Sequence, residues 1–411
     1  MVLSCYLKKI VGATILAILL SSVPRSLADT INFQDPLVID TFYDKNRNDV
    51  DAWHGGEEGM TLEYGPGYVR LIPTAIDMGY HTKVSQYCGD LTLYKDMFLH
   101  ISFAGTDEFT VSLNQDNDEC SLSNWSPVTR DSVQASRYNY MGEDLYIPIS
   151  HFYIDLERVS SIQFNGFYTL QPVELFLVEI TSDVPPDFDI PFKLPSGTLF
   201  TQCTRPNSFA FGIDDGNPEF AQQIMDILED EGILVTFFTV GNSLVDPTAN
   251  FTEIYKQMLR RGHQVAMHTY SHPALEGLQS LDEIHYQIEE NIRVLEDNLG
   301  IYSQYFRPPY GIVGARTRQE LADIIEDPYI INWSVDVEDW LWADTDTPEK
   351  QLRAFRRDLK KGGNLAVMHY AHHTTVGYFR EFIKMVKESG KQIMRVDQCL
   401  EDPNAPSLYS Y

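Results

Sequence analysis

The sequence predicts an all-β sandwich followed by an α/β domain with a distorted (β/α) barrel. Residues 30–180 contain short runs of alternating apolar and polar residues, rich in β-branched and aromatic types, without a long helical period. A Pro-rich segment, 184–202, then interrupts the pattern. From Cys203 onward, strand-like apolar runs alternate with segments of helical spacing, which is typical of parallel strands joined by crossover helices.

The first domain is predicted to span residues 29–183. Polar turns separate its strand-like runs, as expected for a sandwich of antiparallel strands. The clearest runs lie at 98–103, 109–113, 145–149, 161–167 and 173–180.

The second domain is predicted to span residues 203–400, with a tail at 401–411. Its expected strands lie at 209–213, 234–240, 264–267, 330–335, 364–368 and 392–396. Its expected helices lie at 219–230, 252–261, 282–299, 317–326, 348–360 and 376–389. About seven parallel strands favour a closed or partly closed barrel over an open sheet, with the functional loops at the carboxyl ends of the strands.

Residues 1–28 are predicted to be a secretory signal peptide. Lys8 and Lys9 form a positive start, residues 10–20 are apolar, and 26–28 read Ser-Leu-Ala, a small-x-small cleavage site. The apolar run is too short to span a bilayer. We therefore expect a protein that is secreted, either extracellular or in the cell wall.

The mature chain would keep four cysteines: Cys88, Cys120, Cys203 and Cys399. An even number suits disulfides in an oxidising compartment, and three pairings are possible. Pairing Cys88 with Cys120 and Cys203 with Cys399 requires no bond between domains. Free buried thiols are the alternative.

Three Asn-x-Ser/Thr sequences are candidate glycosylation sites. Asn250 is the predicted acceptor. Asn124 is followed closely by Pro127, which disfavours its use, and Asn332 lies in an apolar strand-like run, so it is predicted to be unused.

The net charge of −28 limits the kinds of partner that the chain is expected to bind. Acidity in both halves of the chain opposes binding to nucleic acid and to anionic membranes, whereas a neutral or cationic polymer is compatible with it. The alternative reading is that the acidity serves only solubility.

The second domain contains a series of polar motifs, most of which follow a short apolar run, and each motif is weak by itself. They are Asp214-Asp215, His268 and His272, Arg307 with Tyr310, Asp336 with Asp339-Trp340, and His369. Singly, they also fit an Asp-Asp-Gly turn, a chance histidine pair, a surface Pro-Pro loop and an acidic loop beside a core Trp. Because parallel strands end at one edge of a sheet, these residues are expected to converge.

Together the converging residues predict metal-assisted hydrolysis of an acyl group. Two histidines and an aspartate can hold a divalent cation and leave a position open for water. A second aspartate, a further histidine and an arginine supply a base, an acid and a charge partner.

In this order the motifs resemble those of the polysaccharide deacetylases of carbohydrate esterase family 4, the NodB-homology domain. The family motifs are T-F-D-D-G-P, H-[ST]-x-x-H, R-x-P-[YF], D-x-x-D-W and a late L-x-H, and the resemblance spans about residues 205–400. The first motif departs from the family, reading Gly-Ile-Asp-Asp-Gly-Asn at 212–217. The last has Val367 in place of Leu and Tyr370 where Asp is common.

The resemblance implies a role for each matching residue. Asp214 would be the general base, oriented by Arg307, and His369 the general acid, tuned by Asp339. The implied ligands of a divalent metal, zinc or alternatively cobalt, are Asp215, His268 and His272. The backbone of Tyr310 would help hold the oxyanion, and Trp340 and Val367 would line an acetyl pocket.

The first domain resembles the galactose-binding-like β-sandwich modules that precede such catalytic domains. The likeness rests on the segments 40–43, Asp-Thr-Phe-Tyr, and 52–56, Ala-Trp-His-Gly-Gly. Trp53 could stack on a sugar, or it could be a core residue of a purely structural module.

We therefore expect a monomeric, metal-dependent hydrolase that removes N-acetyl groups from N-acetylglucosamine polymers, chitin or its oligomers, and releases acetate. One alternative is an acetylxylan esterase that uses the same residues on an ester. Another is a catalytically silent, cell-wall carbohydrate-binding protein.

Overall fold

The computed structural model describes residues 35–121 and 129–408. The predicted signal peptide, the Asn124 sequon and the last three residues of the tail lie outside these ranges. From Asp35 onward the chain forms one compact unit. Within the described ranges, no helix combines the length and apolarity needed to cross a membrane.

The N-terminal part of this unit is an all-β region, as predicted, built from two antiparallel sheets. Its strands are β1 (Leu37–Asp40), β2 (His54–Gly56), β3 (Thr61–Gly65), β4 (Tyr68–Ile72), β5 (Tyr80–Lys83), β6 (Phe98–Gly105), β7 (Thr110–Gln115), β8 (Thr129–Gln134), β9 (Asn139–Tyr140), β10 (Asp144–Pro148), β11 (Val159–Asn165) and β12 (Val173–Thr181). One sheet has the order β3-β4-β12-β6-β10-β9, with β1 also paired to β12, and the other has the order β2-β5-β11-β7-β8.

Both sheets of the β region contribute to one apolar core. Val69 of β4 lies in the first sheet and Val111 of β7 in the second, and both belong to the same cluster of buried side chains. In β7 the intervening polar side chains are buried as well. The reason is visible at Thr110, whose Oγ1 accepts a hydrogen bond of 3.1 Å from the backbone N–H of Ala315. The outer face of this sheet is therefore covered by the C-terminal region.

The C-terminal part is an α/β region. Its strands are β13 (Thr198–Phe200), β14 (Ser208–Gly216), β15 (Thr236–Thr239), β16 (Gln264–Met267), β17 (Tyr305–Phe306), β18 (Tyr329–Ile331), β19 (Val335–Asp336), β20 (Leu365–Tyr370) and β21 (Gln392–Met394). Its helices are α1 (Pro218–Glu231), α2 (Gly241–Val245), α3 (Phe251–Arg260), α4 (Leu281–Leu299), α5 (Ala315–Ile324), α6 (Asp339–Trp342), α7 (Lys350–Lys360), α8 (His373–Glu388) and α9 (Val396–Cys399).

All strands of the α/β region pair in parallel, as predicted. The order is β13-β18-β17-β16-β15-β14-β20-β19, and β21 pairs with β14. Between the described strands, no pairing joins β13 to β19. The sheet is therefore a curled half-barrel, which corresponds to the partly closed form of the expected barrel.

Three details of the strands differ from the predicted elements, and the short helices α2, α6 and α9 were not predicted. The single strand expected at 330–335 is two short strands, β18 and β19, since the backbone carbonyl of Ile331 accepts a 3.0 Å hydrogen bond from Arg307 Nε at the break. Strand β17 was not predicted because two residues show no periodicity. Strand β13 lies in the last part of the expected linker, where it pairs with β18.

The cysteines form the predicted pairs, Cys88–Cys120 and Cys203–Cys399. The first lies within the β region. The second joins the start of the α/β region to its last helix, across a sequence separation of 196 residues.

A buried charge network joins the two regions. Asp131 of β8 forms ion pairs with Arg318 of α5, at 2.9 Å, and with Lys193. Burial would raise the pKa of Asp131, but the two cations outweigh burial and lower it. Arg318 also donates to the carbonyl of Arg130 at 3.0 Å and to that of Gly197 at 2.9 Å. The network fixes β8 against α5 and thereby sets how the β region meets the α/β region.

Candidate active site

The predicted site residues meet at the carboxyl edge of the parallel sheet. Asp214 near the end of β14 is the register partner of His369 on β20. His268 directly follows β16, Arg307 directly follows β17, and Asp336 ends β19. Since all these strands run in the same direction, residues far apart in sequence converge on one site.

Asp215, His268 and His272 form a candidate metal centre. One ligand atom from each lies within 4.8 Å of the others. His272 Nε2 is 3.2 Å from Asp215 Oδ2, and the two imidazole rings are 4.9 Å apart. The donors are therefore close enough to share one cation.

The hydrogen bonding of His268 and the surroundings of His272 suit metal ligation. His268 Nδ1 lies 2.7 Å from the carbonyl of Arg307, which can only accept, so Nδ1 donates there and Nε2 is the nitrogen left for a metal. Burial and the neighbouring His268 lower the pKa of His272, outweighing Asp215 and Asp214. A neutral imidazole is the form that binds a metal.

The segment from His268 to His272 is a bend, which is the turn-like form that the spacing required. Thr269 and His272 both have left-handed backbone conformations, with φ of 64° and 65°. The His272 N–H donates to Thr269 Oγ1 at 2.9 Å. Tyr310 is also left-handed, at 61°, and its ring packs on that of His272 at 4.9 Å. Strained residues of this kind persist where the surroundings over-determine them, commonly at functional sites.

Asp214 is bound by a buried arginine. Arg307 is fully buried, and its Nη1 is 2.7 Å from Asp214 Oδ1. The guanidinium also stacks over the ring of Phe238, 4.2 Å from the centroid. Burial lowers the pKa of Arg307, and Asp214 limits the fall. This pair orients the carboxylate and leaves Asp214 Oδ2 facing His268 Nε2 at 3.8 Å.

The departures from the family motifs have structural reasons. A Cβ on Gly212 would overlap the guanidinium of Arg307, so the Gly in place of Thr makes room for the buried arginine. A Cβ on Gly216 would overlap the ring of Tyr370, which is fully buried. Tyr370 therefore packs into the core beneath the site and does not replace the missing Asp.

His369 is held by Asp339. The His369 Nδ1 donates to Asp339 Oδ1 at 2.9 Å, and the His369 backbone N–H donates to Oδ2 at 2.7 Å. Burial opposes the charged imidazole, but the carboxylate of Asp339 outweighs it and raises the pKa of His369 from 6.5 to about 9. With Nδ1 committed to Asp339, Nε2 is the nitrogen that can exchange a proton.

The two residues expected to line the acetyl pocket differ in exposure. Trp340 is 69% exposed, and its Nε1 donates to Asp336 Oδ2 at 3.5 Å. Val367 is buried on β20, where it pairs in register with Gly212 and Asp336. Trp340 is therefore open to solvent, whereas Val367 is packed within the sheet.

Several supporting residues were not predicted. The side chain of Asn291 accepts a 3.2 Å hydrogen bond from the His268 N–H, and that of Gln287 accepts one of 2.9 Å from the Ser271 N–H. The only sequence signal was two polar residues one helical turn apart among the apolar positions of α4.

Burial raises the pKa of Asp336 to about 6, although the Glu338 N–H opposes the rise.

Comparison with known proteins identifies the family. A family model described as Polysaccharide deacetylase matches residues 201–324. A chitin deacetylase from Pestalotiopsis sp is 32% identical over 214 residues, which are 52% of this chain and 70% of that protein. One from Colletotrichum lindemuthianum is 30% identical over 218 residues, 51% of this chain and 86% of that protein. The chain belongs to the polysaccharide deacetylases.

The solved structure of the chitin deacetylase from Colletotrichum lindemuthianum is 26% identical to this polysaccharide N-deacetylase. The structural match covers 53% of this chain and 100% of the solved chain, with a TM-score of 0.47. The matched family model lies within the α/β region, so the likeness of the β region to galactose-binding modules stays a prediction.

The Asp339→Asn substitution should shift the pH dependence of the deacetylase. Without this carboxylate, only the charges of Asp214 and Asp215 oppose burial at His369, so its pKa falls and the alkaline limb of kcat should move about 1 to 3 pH units lower. The limb is measured as acetate release against pH in the metal-loaded enzyme. Asp344→Asn is the matched control, because Asp344 pairs at 3.0 Å with the more exposed His372. An unmoved limb in Asp339→Asn would contradict the assignment.

Proposed function

We propose that the chain is a secreted, metal-dependent N-deacetylase that releases acetate from N-acetylglucosamine polymers, chitin or its oligomers. The observation that supports the proposal is that Asp214, a two-histidine, one-carboxylate donor set and a carboxylate-paired histidine lie together at one sheet edge. The similarity to two chitin deacetylases supports the substrate class. Two disulfides suit an oxidising compartment.

Asp215, His268 and His272 would hold the divalent cation. Their nitrogen and oxygen donors match the ligands of catalytic zinc sites, with cobalt as the alternative metal. When bound, the cation would supply Lewis-acid polarisation of the acetamide carbonyl and lower the pKa of water. The hydrogen bond from His268 Nδ1 to the carbonyl of Arg307 aims the other nitrogen at this position.

Asp214 would accept the proton of the attacking water. Its Oδ1 is occupied by Arg307, whereas Oδ2 lies on the side of His268. A buried carboxylate with one oxygen committed to a guanidinium has a fixed orientation, so its second oxygen is pre-positioned to take a proton.

His369 would protonate the leaving nitrogen. As the carbon–nitrogen bond of the acetamide breaks, Nε2 gives its proton to the amine, and Asp339 stabilises the imidazolium before transfer. The Tyr310 N–H would donate to the carbonyl oxygen as negative charge develops there. Trp340 and Val367 would enclose the acetyl methyl. The products are a glucosamine unit and acetate.

The substrate is tested by acetate release from N-acetylglucosamine oligomers and from acetylxylan, each with and without a chelator. We expect release from the oligomers that chelator removes and added zinc or cobalt restores, because the donor set is built for a divalent cation. Release from acetylxylan alone would favour the ester substrate. Absence of release from both, in the metal-loaded protein, would favour a silent binding protein.

Two substitutions distinguish the proposed role of Asp214 as base from that of His272 as metal ligand. Asp214→Asn should lower kcat by about 10²- to 10⁴-fold with the bound metal unchanged, since it removes the base but no ligand. His272→Ala should lose the metal, which is measured by elemental analysis after dialysis. The matched controls are Asp226→Asn and His285→Ala on α1 and α4, neither of which belongs to the site. The role of Asp214 as base would be excluded by a near-normal kcat in its variant.

A further inference from the structure

A polar cavity lies where the β region meets the α/β region. Its volume is about 200 Å³. The polar and aromatic side chains in its wall are Glu57, Asp77, Arg130, Gln163, Asn165, Glu276 and Tyr310. The loop at 310–313 forms one side of the cavity, and the ring of Tyr310 in this loop packs against His272 of the candidate metal centre. The cavity is therefore adjacent to the active site.

The wall contains buried polar atoms that lack a hydrogen-bond partner. Glu276 is fully buried; its Oε1 accepts from the N–H groups of Gly314 and Thr317, at 2.7 and 2.9 Å, while its Oε2 has no partner in the described structure. This Oε2 lies close to Gly166, another residue of the cavity wall: a Cβ built on Gly166 would be 3.5 Å from it.

Arg130 on the other side of the cavity repeats the pattern. Its Nη2 donates to the carbonyl of Val313 at 3.1 Å, whereas its buried Nε has no partner among the described residues. Buried donors and acceptors are costly unless they are paired. A cavity lined by carboxylates, side-chain amides and a guanidinium suits a ligand rich in hydroxyl groups, which donate and accept.

A half-exposed aromatic residue continues the surface beyond the cavity. Trp53 and Glu57 flank the three-residue strand β2. Glu57 Oε1 lies 3.0 Å from His81 Nε2, and the ring of His81 is 6.3 Å from that of Trp53. Trp53 is 49% exposed, so the alternative that it is a core residue is wrong. An apolar ring beside precisely placed polar groups is the usual composition of a small-ligand site.

We infer that the cavity and Trp53 form a subsite for a further sugar unit of the polysaccharide, so that the β region extends the substrate groove of the deacetylase. Three carboxylates against one guanidinium favour an uncharged or cationic sugar over a uronate. The buried network of Asp131 and Arg318 holds the two halves of this groove in register. The inference rests on the proposed function, because the further unit belongs to the same polymer.

The test compares a long substrate with a small one in the metal-loaded, full-length protein. Glu57→Gln and Trp53→Ala should each lower kcat/KM for acetate release from the N-acetylglucosamine hexamer about ten-fold, as expected for one lost charged or stacking contact. Both variants should leave the hydrolysis of a small aryl acetate unchanged, because that substrate reaches only the reacting centre. Tyr87→Ala is the control, since Tyr87 is an exposed aromatic of the β region outside the cavity.

Equal losses on both substrates would overturn the subsite, because they would indicate a general effect on the fold. An unchanged hexamer rate in both variants would overturn it as well. Failure of the wild-type protein to release acetate from any oligomer would refute the proposed function instead. In that case the subsite is tested by calorimetry, which measures the affinity for the hexamer. The Trp53→Ala variant should bind the hexamer about ten-fold more weakly than wild type. Equal affinity, or absence of binding to wild type, would exclude it.

Discussion

The buried ion pair between Arg307 and Asp214 is the interaction on which the rest of the site depends. A guanidinium with no exposure to solvent is costly to bury, and it is stable here only because acceptors surround it. Its side chain binds Asp214 on β14 and the carbonyl of Ile331 on β18, while its own carbonyl accepts from His268. One residue therefore orients the proposed base and sets the tautomer of a proposed metal ligand. The same ion pair requires a glycine at position 212, because a side chain there would overlap the guanidinium.

The environments of the two titrating histidines are opposed. Burial and the neighbouring His268 lower the pKa of His272, whereas Asp339 outweighs burial and raises that of His369. The first histidine is thus kept neutral, as a metal ligand must be, and the second is kept protonated, as an acid must be. Environments that push the pKa values of similar groups apart are how one site holds a ligand and an acid together at one pH. A divalent cation on the ligands would lower the pKa of His272 further and would oppose the rise at His369, so the Asp339 contact is what keeps His369 an acid.

The convergence of the motifs was predictable because strand periodicity and the parallel topology together fix which residues share the sheet edge. Asp214, His268, Asp336 and His369 lie at the strand ends where strand periodicity predicted them. The supporting backbone was not predictable: the left-handed conformation of Thr269 depends on tertiary contacts and leaves no periodic signal.

The cavity between the two regions was beyond sequence reasoning for a related reason. It exists because β8 docks on α5 through the pair of Asp131 and Arg318, residues that are 187 positions apart and carry no motif. Likewise, the exposure of Trp53 depends on how the segment that leads into β2 packs against the core. Local pattern assigns a strand, but only the packed structure shows which polar residues it brings to a shared wall.

The most direct measurement is acetate release by Arg307→Lys, with the bound metal quantified in the same sample. Lysine keeps the positive charge and the backbone carbonyl that fixes His268, but it lacks the planar fork that orients Asp214. We expect the metal content to match wild type and kcat to fall about 10²-fold or more, the cost of a misplaced catalytic group. A near-normal kcat with full metal content would contradict the account, because the site would then function without the interaction that is argued to organise it.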